Sequence, residues 1–343
     1  MMPIMAVVAD TFMPAWWCRG PHAQTIWASF LKPVPPTTSV QRKRWETPDG
    51  DFLDIDEAAA DGPNQPVLVI LHGLEGSSES LWIRGLIGGA HRLGWRVLAV
   101  NFRSCSGEIN RLRRSYHGGE TSDLAWILSQ IAGGQNHSRI GCIGISLGGN
   151  VLLKYLGESA QIPGVKAAVT VSAPFDLAAS AQTFEHGFIN KQVYMRRLVQ
   201  SLKQKTQAKL SRYPDLVDNT KLAQVRTIAA FDDWVTAPVH GFADAQAYWR
   251  VSSCNRFLAG IKTPTLLINS ADDPLVPENT LPRQLVAEHP YLTAAFTRAG
   301  GHVGFIGGPS PYQPHFWAQR QAIAFLQERL CDKTTPRVSS SQR

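Results

Sequence analysis

Residues 139–156 read RIGCIGISLGGNVLLKYL and place Ser146 between two contrasting patterns. The residues before Ser146 are almost continuously apolar, which is typical of a strand buried on both faces of a sheet. The residues after it carry apolar side chains at helical spacing. Ser146 is also the centre of a G-x-S-x-G motif at 144–148. A strand, a sharp turn and a helix form the context in which this motif exposes a serine as a nucleophile, although a bare match also arises by chance.

Short apolar runs alternate with helical patterns on both sides of this segment. Buried strands are predicted at 67–71, 96–100, 139–145, 166–172, 263–269 and 292–297, and helices at 81–93, 121–132, 147–156 and about 315–330. This alternation predicts a mostly parallel, doubly wound α/β sheet. Residues 42–56 instead predict a β-hairpin with alternating apolar positions, because Pro48-Asp49-Gly50 is a turn sequence. Thr121 is the predicted N-cap of the helix at 121–132.

The alternation stops between residues 177 and 260, where the chain is helical and basic. We predict a helical lid insertion at 177–260 inside a core made of 41–176 and 261–330. A Trp- and Pro-rich arm at 1–40 precedes the core, and a polar tail at 331–343 follows it. A solvated lid face is the favoured interpretation of the basic residues, and contact with an anionic membrane surface is the alternative. These residues are Lys191, Arg196, Arg197, Lys203, Lys205, Lys209 and Arg212.

Composition narrows the class of protein. The chain has 343 residues with a formal net charge of +7, and no nucleic-acid motif accompanies the charge, so we expect no nucleic-acid partner. The five cysteines include no C-x-x-C pair, which disfavours a disulfide framework or a zinc site and favours a reducing compartment. The sequence shows neither a signal-peptide pattern nor an apolar run long enough to span a membrane. A soluble, cytoplasmic protein is predicted.

A nucleophilic serine needs a base and an acid, and both candidates directly follow predicted strands. His302 lies among glycines after 292–297, on a loop that could bring its imidazole to Ser146. Asp272 and Asp273 follow 263–269. A carboxylate there could orient the histidine and stabilise the imidazolium. We favour Asp273 because it precedes Pro274, with Asp272 as the alternative, and either residue could instead only cap a turn.

Ester chemistry also needs hydrogen-bond donors for the negatively charged oxygen of the tetrahedral intermediate. Residues 72–76, HGLEG, directly follow the strand at 67–71. We predict that the backbone N–H groups of Leu74 and Leu147 form this oxyanion hole. An ordinary glycine-rich turn is the alternative for 72–76, and a structural role is expected for His72. Cys142 is expected to be a packed core residue rather than a nucleophile.

Several longer segments resemble the YheT-like family of α/β-hydrolases, over about residues 12–330. The departures are Ser104, where a glycine is usual, and Glu120, where an aspartate is usual. The resemblance implies the α/β-hydrolase fold and hydrolysis of carboxylic esters, on short-chain or glycerolipid substrates. It is carried by PHAQTI at 21–26, NFRSCSG at 101–107, YHGGE at 116–120, FDD at 231–233, TAP at 236–238 and HGF at 240–242.

Two points stay open beside this resemblance. The segments at 21–26 and 116–120 could line the substrate pocket or tie the arm to the core. The Ser146–Asp273–His302 order agrees with a small-molecule or lipid ester hydrolase, but an acyltransferase would use the same residues, and a non-catalytic binding protein could share the scaffold. No cofactor is expected, and no metal, because the spacing of His22, His117, His186 and His240 is not that of a metal site.

Overall fold

A computed structural model describes residues 11–30, 38–62, 64–133, 139–159 and 163–331. Within them, eight strands form one sheet in the order β1-β2-β4-β3-β5-β6-β7-β8. The strands are β1 (Gln41–Glu46), β2 (Phe52–Ala58), β3 (Val67–Leu71), β4 (Arg96–Val100), β5 (Ile140–Ile145), β6 (Val165–Val171), β7 (Thr265–Ser270) and β8 (Leu292–Thr297). β2 pairs antiparallel with β1 and β4, and all later pairs are parallel. The predicted mostly parallel α/β sheet is confirmed.

Twelve α-helices are formed by the described residues. They are α1 (Pro21–Phe30), α2 (Leu81–His91), α3 (Ser122–Ala132), α4 (Leu147–Glu158), α5 (Leu177–Phe184), α6 (Arg196–Leu210), α7 (Asn219–Gln224), α8 (Ile228–Phe231), α9 (Ala237–His240), α10 (Ala245–Ser252), α11 (Arg283–Glu288) and α12 (Trp317–Leu330). Two π-helices, Asn190–Met195 and Asp232–Thr236, lie between β6 and β7. No helix of the described part of the chain is long and apolar enough to cross a bilayer.

The sheet is covered on both faces because side chains alternate along each strand. In β3, Val67, Val69 and Leu71 pack into one core with α3 and α4. Leu68 and Ile70 pack into a second core with α2 and α12. Each strand therefore reads as a continuous apolar run, which is why the sequence pattern located these strands within two residues of their observed bounds.

Two local expectations are corrected. The last helix begins at Trp317 rather than near 315, because Gln313–Phe316 forms a strand, β10, that pairs with β9 (Ile306–Ser310). The Thr121 side chain does not cap α3. Glu120 takes that place, since its Oε1 accepts a 2.8 Å hydrogen bond from the Ser122 N–H. Most of the predicted tail and parts of the predicted arm, residues 1–10 and 31–37, lie outside the described residues.

The predicted hairpin is confirmed, since β1 and β2 pair antiparallel, and every residue of β2 is buried, its carboxylates included. Arg42 lies opposite Asp56, and Arg44 opposite Asp54, in the β1–β2 register. Each arginine donates two hydrogen bonds to its carboxylate, of 2.7 and 3.1 Å for Asp56 and 2.8 and 2.9 Å for Asp54. Burial alone would raise the pKa of both aspartates, but these arginines hold the pKa values below the ordinary range.

The segment at 101–107 supplies a buried arginine that joins three parts of the chain. Arg103 donates to Asp123 at the start of α3 with two bonds of 2.6 and 2.8 Å, and to Asp51 before β2 at 2.8 Å. Ser104, at the usual glycine position, has φ +66°. Its hydroxyl donates to Asn110 Oδ1 at 2.6 Å and accepts from the Asn110 N–H at 3.1 Å, which helps to hold this unfavourable backbone.

We expect Arg103→Ala to destabilise the protein by about 3–5 kcal/mol, because it leaves buried carboxylates without their cation. Hydrogen bonds hold the pKa of Asp51 below its ordinary value against the effect of burial, so its charge stabilises the fold above pH of about 4 and this contribution is lost as the pH falls. The difference in unfolding free energy between wild type and Arg103→Ala should therefore become smaller in acid. Urea unfolding between pH 7 and pH 3.5 measures it. Arg113→Ala, which removes an exposed ion pair to Asp215, is the control and should change little; an equal loss in both variants would contradict the expectation.

Candidate active site

Ser146 lies on a strained turn between β5 and α4. Its backbone has φ 50° and ψ −120°, a conformation that costs roughly 1–3 kcal/mol for a residue with a Cβ. The Ser146 N–H donates to the Val171 carbonyl at 2.8 Å, and its own carbonyl accepts from the Gly149 N–H at 2.8 Å. A Cβ at Gly144 would lie 2.5 Å from the Gly148 carbonyl oxygen. The motif glycines thus allow the close backbone approach that holds the turn.

The structure brings the three predicted side chains into one hydrogen-bonded chain. His302 Nε2 lies 2.9 Å from Ser146 Oγ. His302 Nδ1 lies 2.9 Å from Asp273 Oδ2 and 3.1 Å from Oδ1. Ser146 and Asp273 follow the carboxyl ends of β5 and β7, and His302 lies in the loop after β8, so parallel strands deliver all three to one edge of the sheet.

The two candidate aspartates occupy different places. The Asp273 side chain is fully buried, and its Oδ1 also accepts from the Leu275 and Val276 N–H groups at 2.8 and 3.1 Å. Asp272 Oδ1 accepts instead from the Gly301 N–H at 2.9 Å. Asp272 therefore supports the backbone of the histidine loop, and Asp273 contacts the imidazole.

Leu74 and Leu147 flank Ser146 on the lining of the same cavity. The loop after β3 passes directly beside the serine, since a Cβ at Gly73 would lie 3.1 Å from Ser146 Cβ. Leu147 is the first residue of α4, where helix N–H groups have no partner within the helix. This placement suits both residues to the predicted donor role.

His72 fixes the loop that carries Leu74. It is buried, and burial lowers the pKa of its imidazole to about 4. Nε2 accepts from the Phe102 N–H at 3.1 Å, so the neutral ring carries its proton on Nδ1, which donates to the Gly73 carbonyl at 2.7 Å. The structural role expected for His72 agrees with these contacts.

Glu75, the residue after Leu74, is held at φ +56° by three neighbours. Its N–H donates to the Tyr116 hydroxyl at 2.9 Å, and that hydroxyl donates to Glu75 Oε1 at 2.7 Å. Lys205 Nζ of α6 donates to Oε1 at 3.0 Å, and the Ser201 hydroxyl of α6 donates to Oε2. The helical region between β6 and β7 is thereby tied to the loop beside the serine.

The expectation that the basic stretch forms a solvated face is wrong for two of its lysines. Lys205 contacts Glu75 and also lies 3.1 Å from the sulfur of Cys105. Lys209 is buried, and its Nζ donates to three carbonyls of the 112–114 loop at 2.9, 3.1 and 2.7 Å. These contacts join α6 to the loops at 72–76 and 112–114. Lys191 and Arg196 remain exposed.

Ser146 opens into a cavity of about 690 Å³, which lies in the size range of small-molecule sites. Its wall is largely apolar and comes from three regions. Residues from the arm helix, from the loops beside Ser146 and from the helical region between β6 and β7 all contribute. They include Thr25, Ala28, Leu74, Tyr116, Gly118, Leu147, Leu177, Phe184, Leu198, Ile228, Phe231 and Leu275. The segments at 21–26 and 116–120 therefore both line the cavity.

Sequence reasoning missed the polar groups of this cavity. Asp232 is buried, and burial raises the pKa of its carboxyl to about 6; it accepts from Trp249 Nε1 at 2.8 Å and from Thr236 Oγ1 at 2.7 Å. His117, which also lines the cavity, contacts His240 behind it with the rings tilted and their centroids 4.4 Å apart, and burial lowers their pKa values to about 4 and about 3. The contact of Asp232 with Trp249 and that of His117 with His240 each join different elements of the chain, so no local pattern could reveal them. Among the described residues, no three His, Cys, Asp or Glu side chains are grouped to hold a metal.

Comparisons with known proteins agree with this architecture. A family model described as the alpha/beta hydrolase fold matches residues 66–309. The chain is 41% identical over 297 residues to "Putative esterase YheT" of Escherichia coli (strain K12), covering 84% of this chain and 86% of that protein. It is 27% identical over 314 residues to Phospholipase ABHD3 of Mus musculus, covering 90% and 76%. The structure of the Pyrococcus furiosus esterase Pf2001 matches with a TM-score of 0.54 at 17% identity, over 86% of this chain and 93% of that one, which shows the shared fold.

The fold and the match over residues 66–309 define an α/β-hydrolase. The 41% identity to the Escherichia coli protein identifies the family within the α/β-hydrolases. The chain belongs to the YheT-like family of α/β-hydrolases, as the segments at 21–26 and 101–107 imply.

The turn at Ser146 gives a matched pair of glycine variants. Gly148→Ala should abolish labelling by a fluorophosphonate, because its Cβ would lie 2.5 Å from the His72 carbonyl oxygen. Gly89→Ala on α2 should keep full labelling and gain about 0.5–1 kcal/mol of stability, since its Cβ would meet only Ile323 at 3.7 Å. Gel fluorescence and thermal unfolding measure both. Wild-type labelling of Gly148→Ala would show that the close approach is not required.

Proposed function

We propose that this protein is a serine esterase that cleaves carboxylic esters through an acyl-enzyme. The observation that carries the proposal is the 2.9 Å contact between Ser146 Oγ and His302 Nε2, continued to a fully buried Asp273. A serine is a weak nucleophile by itself, and a positioned base activates it. Asp273 keeps the histidine proton on Nδ1, which leaves Nε2 free to accept a proton.

The first half of the reaction forms the acyl-enzyme. Ser146 Oγ attacks the ester carbonyl carbon while its proton passes to His302 Nε2. Negative charge develops on the carbonyl oxygen, where the N–H groups of Leu74 and Leu147 stabilise it. The amino-terminal end of α4 adds a favourable dipole. When the tetrahedral intermediate collapses, the bond to the alcohol oxygen breaks, and the alcohol leaves with the proton from Nε2.

The second half returns the enzyme to its starting state. A water molecule gives a proton to His302 Nε2 and attacks the acyl carbon. The same two N–H groups stabilise the second intermediate. Its collapse releases the carboxylic acid, and Nε2 returns the proton to Ser146 Oγ. Neither half of the reaction oxidises or reduces the substrate, so these steps need no redox cofactor.

The substrate class follows from the cavity and from the relatives. A largely apolar wall around about 690 Å³ favours an ester with an apolar acyl chain, short or lipid-like. The mouse relative is named a phospholipase. An acyltransferase would use the same acyl-enzyme and pass it to an alcohol, and products formed with added alcohol acceptors distinguish the two. If a fluorophosphonate does not label the folded wild-type protein, Ser146 is not activated, and a non-catalytic binding role is favoured.

The assignment of Ser146, His302 and Asp273 as a catalytic triad predicts different losses of activity for three variants. Ser146→Ala should lower kcat for a p-nitrophenyl ester by about 10⁵–10⁶-fold. Asp273→Asn should lower it by about 10³–10⁴-fold, because the histidine loses its orienting carboxylate. Asp272→Asn is the matched control and should lose far less, since Asp272 contacts only the Gly301 N–H among the groups described.

Initial rates and circular dichroism on all four proteins measure the effect. Near-wild-type turnover by a folded Ser146→Ala would refute the proposal. Equal losses in Asp273→Asn and Asp272→Asn would refute only the choice of acid.

We also place the protein in the cytoplasm, in weak contact with anionic lipid. All five cysteines are unpaired, which suits a reducing compartment. Phe188 is 77% exposed and is followed by the exposed Lys191 and Arg196, beside cavity-lining residues of the same segment. An exposed aromatic ring with neighbouring cations is suited to an anionic interface.

Co-sedimentation tests the lipid contact. Binding to vesicles that contain phosphatidylserine should fall in Lys191→Gln/Arg196→Gln and in high salt, because salt screens surface charge. Lys166→Gln/Lys262→Gln is the control, since these exposed lysines lie at the amino ends of β6 and β7, opposite the site. Equal binding by both double variants, or to uncharged vesicles, would remove the lipid contact and leave the esterase proposal untouched.

A further inference from the structure

The loop that carries His302 is held in an unfavourable backbone conformation. Gly301 has φ +59°, and Val303 and Phe305, which carry side chains, have φ +60° and +48°. A β-branched residue such as Val303 rarely adopts positive φ. Each such residue costs roughly 1–3 kcal/mol and persists only where surrounding contacts enforce it. The contacts around this loop therefore decide where the imidazole lies.

The sheet domain holds one side of the loop. Ser172 Oγ, after β6, accepts from the Val303 N–H at 2.9 Å. The Ser270 hydroxyl, at the end of β7, donates to the Gly301 carbonyl at 2.9 Å. Together with the Asp272 contact to the Gly301 N–H, these bonds flank His302 but do not reach its own backbone.

The arm holds the other side, and its contact is to His302 itself. The His302 N–H donates to Thr25 Oγ1 of α1 at 2.8 Å. The Thr25 hydroxyl donates in turn to the Pro21 carbonyl at 2.7 Å, so its proton points away from His302 and its lone pair faces the amide. Thr25 is 3% exposed. Leaving the His302 N–H without this acceptor would therefore cost about 1–3 kcal/mol of folding free energy.

Gln24 joins α1 by hydrogen bonds to Ile306, at the carboxyl end of the histidine loop. Its amide donates to the Ile306 carbonyl at 2.9 Å and to the Cys18 carbonyl at 2.7 Å, and its Oε1 accepts from the Ile306 N–H at 2.6 Å. Gln24 is fully buried. A Cβ at Gly301 would lie 2.4 Å from the Pro21 carbonyl oxygen, so helix and loop are in backbone contact.

We propose that Thr25 is a positioning residue for His302, and that α1 of the arm holds the histidine in its active position. Thr25 accepts the only backbone donor of His302 and so fixes the Cα from which the imidazole reaches both Ser146 and Asp273. Gln24 keeps α1 at the distance that this bond requires. The inference rests on the proposed function, because it assumes that His302 is the base.

The arm also contacts the helical region above the cavity. His22 Nδ1 lies 3.2 Å from the Tyr194 hydroxyl of the π-helix Asn190–Met195, and Tyr194 and Thr25 both line the cavity. Asn190 of the same π-helix donates to the Pro274 carbonyl, next to Asp273, at 2.8 Å. Thr25 thus sits where the arm, the π-helix and the histidine loop meet.

Thr25→Val tests the role, because it keeps the shape of the side chain and removes the acceptor. We expect kcat for p-nitrophenyl butyrate to fall by about 10–100-fold, since small displacements of a base are costly, while KM changes by less than about twofold. Thr25→Ser should restore the rate. Adding Thr25→Val to His302→Ala should cause no further loss, because a positioning residue acts only through its partner.

Thr206→Val is the matched control. Its hydroxyl is buried and donates to the Leu202 carbonyl four residues earlier at 2.9 Å, as that of Thr25 does to Pro21, but it does not contact His302. It should keep the wild-type kcat. If Thr25→Val does not fold, Thr25→Ala is measured in its place.

The possible outcomes separate the two proposals. An unchanged kcat in a folded Thr25 variant, or a raised KM with unchanged kcat, would overturn the positioning role. A further loss in the His302→Ala background would also overturn it. Turnover that persists in Ser146→Ala would overturn the esterase itself, whatever Thr25 does.

Discussion

The close approach of three backbone segments at Ser146 is the constraint on which the rest of the site depends. β5, the start of α4 and the loop after β3 meet there with no space for a Cβ at Gly144 or Gly148. That contact keeps Ser146 at φ 50° and sets the β3 loop beside it. The proposed nucleophile and the proposed oxyanion donors are thereby placed by one packing arrangement, which does not have to form when substrate binds.

His302 lies on a second strained segment, and its supports are spread over the molecule. Ser172 and Ser270 come from the ends of neighbouring strands, and Thr25 and Gln24 come from the arm. The loop after β3 has a similar pattern, since Glu75 is held by the core and by α6. The strands thus bring Ser146, Asp273 and His302 together, and the arm and the helices between β6 and β7 support the loops after β3 and β8.

The sheet and the meeting of Ser146, Asp273 and His302 at one of its edges could be predicted because their signals are local. A buried parallel strand reads as an apolar run, and Ser146, Asp273 and His302 each follow one. The charges within the fold could not be predicted in this way. Asp54 and Asp56 look like the polar face of a hairpin, and Lys205 and Lys209 look like a solvated helix face. Their partners lie on other elements. Only the tertiary contacts show that the two aspartates are buried against arginines, and that Lys205 contacts Glu75 while Lys209 is buried against backbone carbonyls.

The central claim is that ester cleavage proceeds through a covalent bond to Ser146. The most direct measurement is rapid-quench hydrolysis of a p-nitrophenyl ester, followed by mass spectrometry of the intact protein and its peptides. The account predicts a burst of p-nitrophenol stoichiometric with enzyme and an acyl group on the peptide that contains Ser146. Continued turnover with no covalent adduct, or an adduct on another residue such as Cys105, would contradict it.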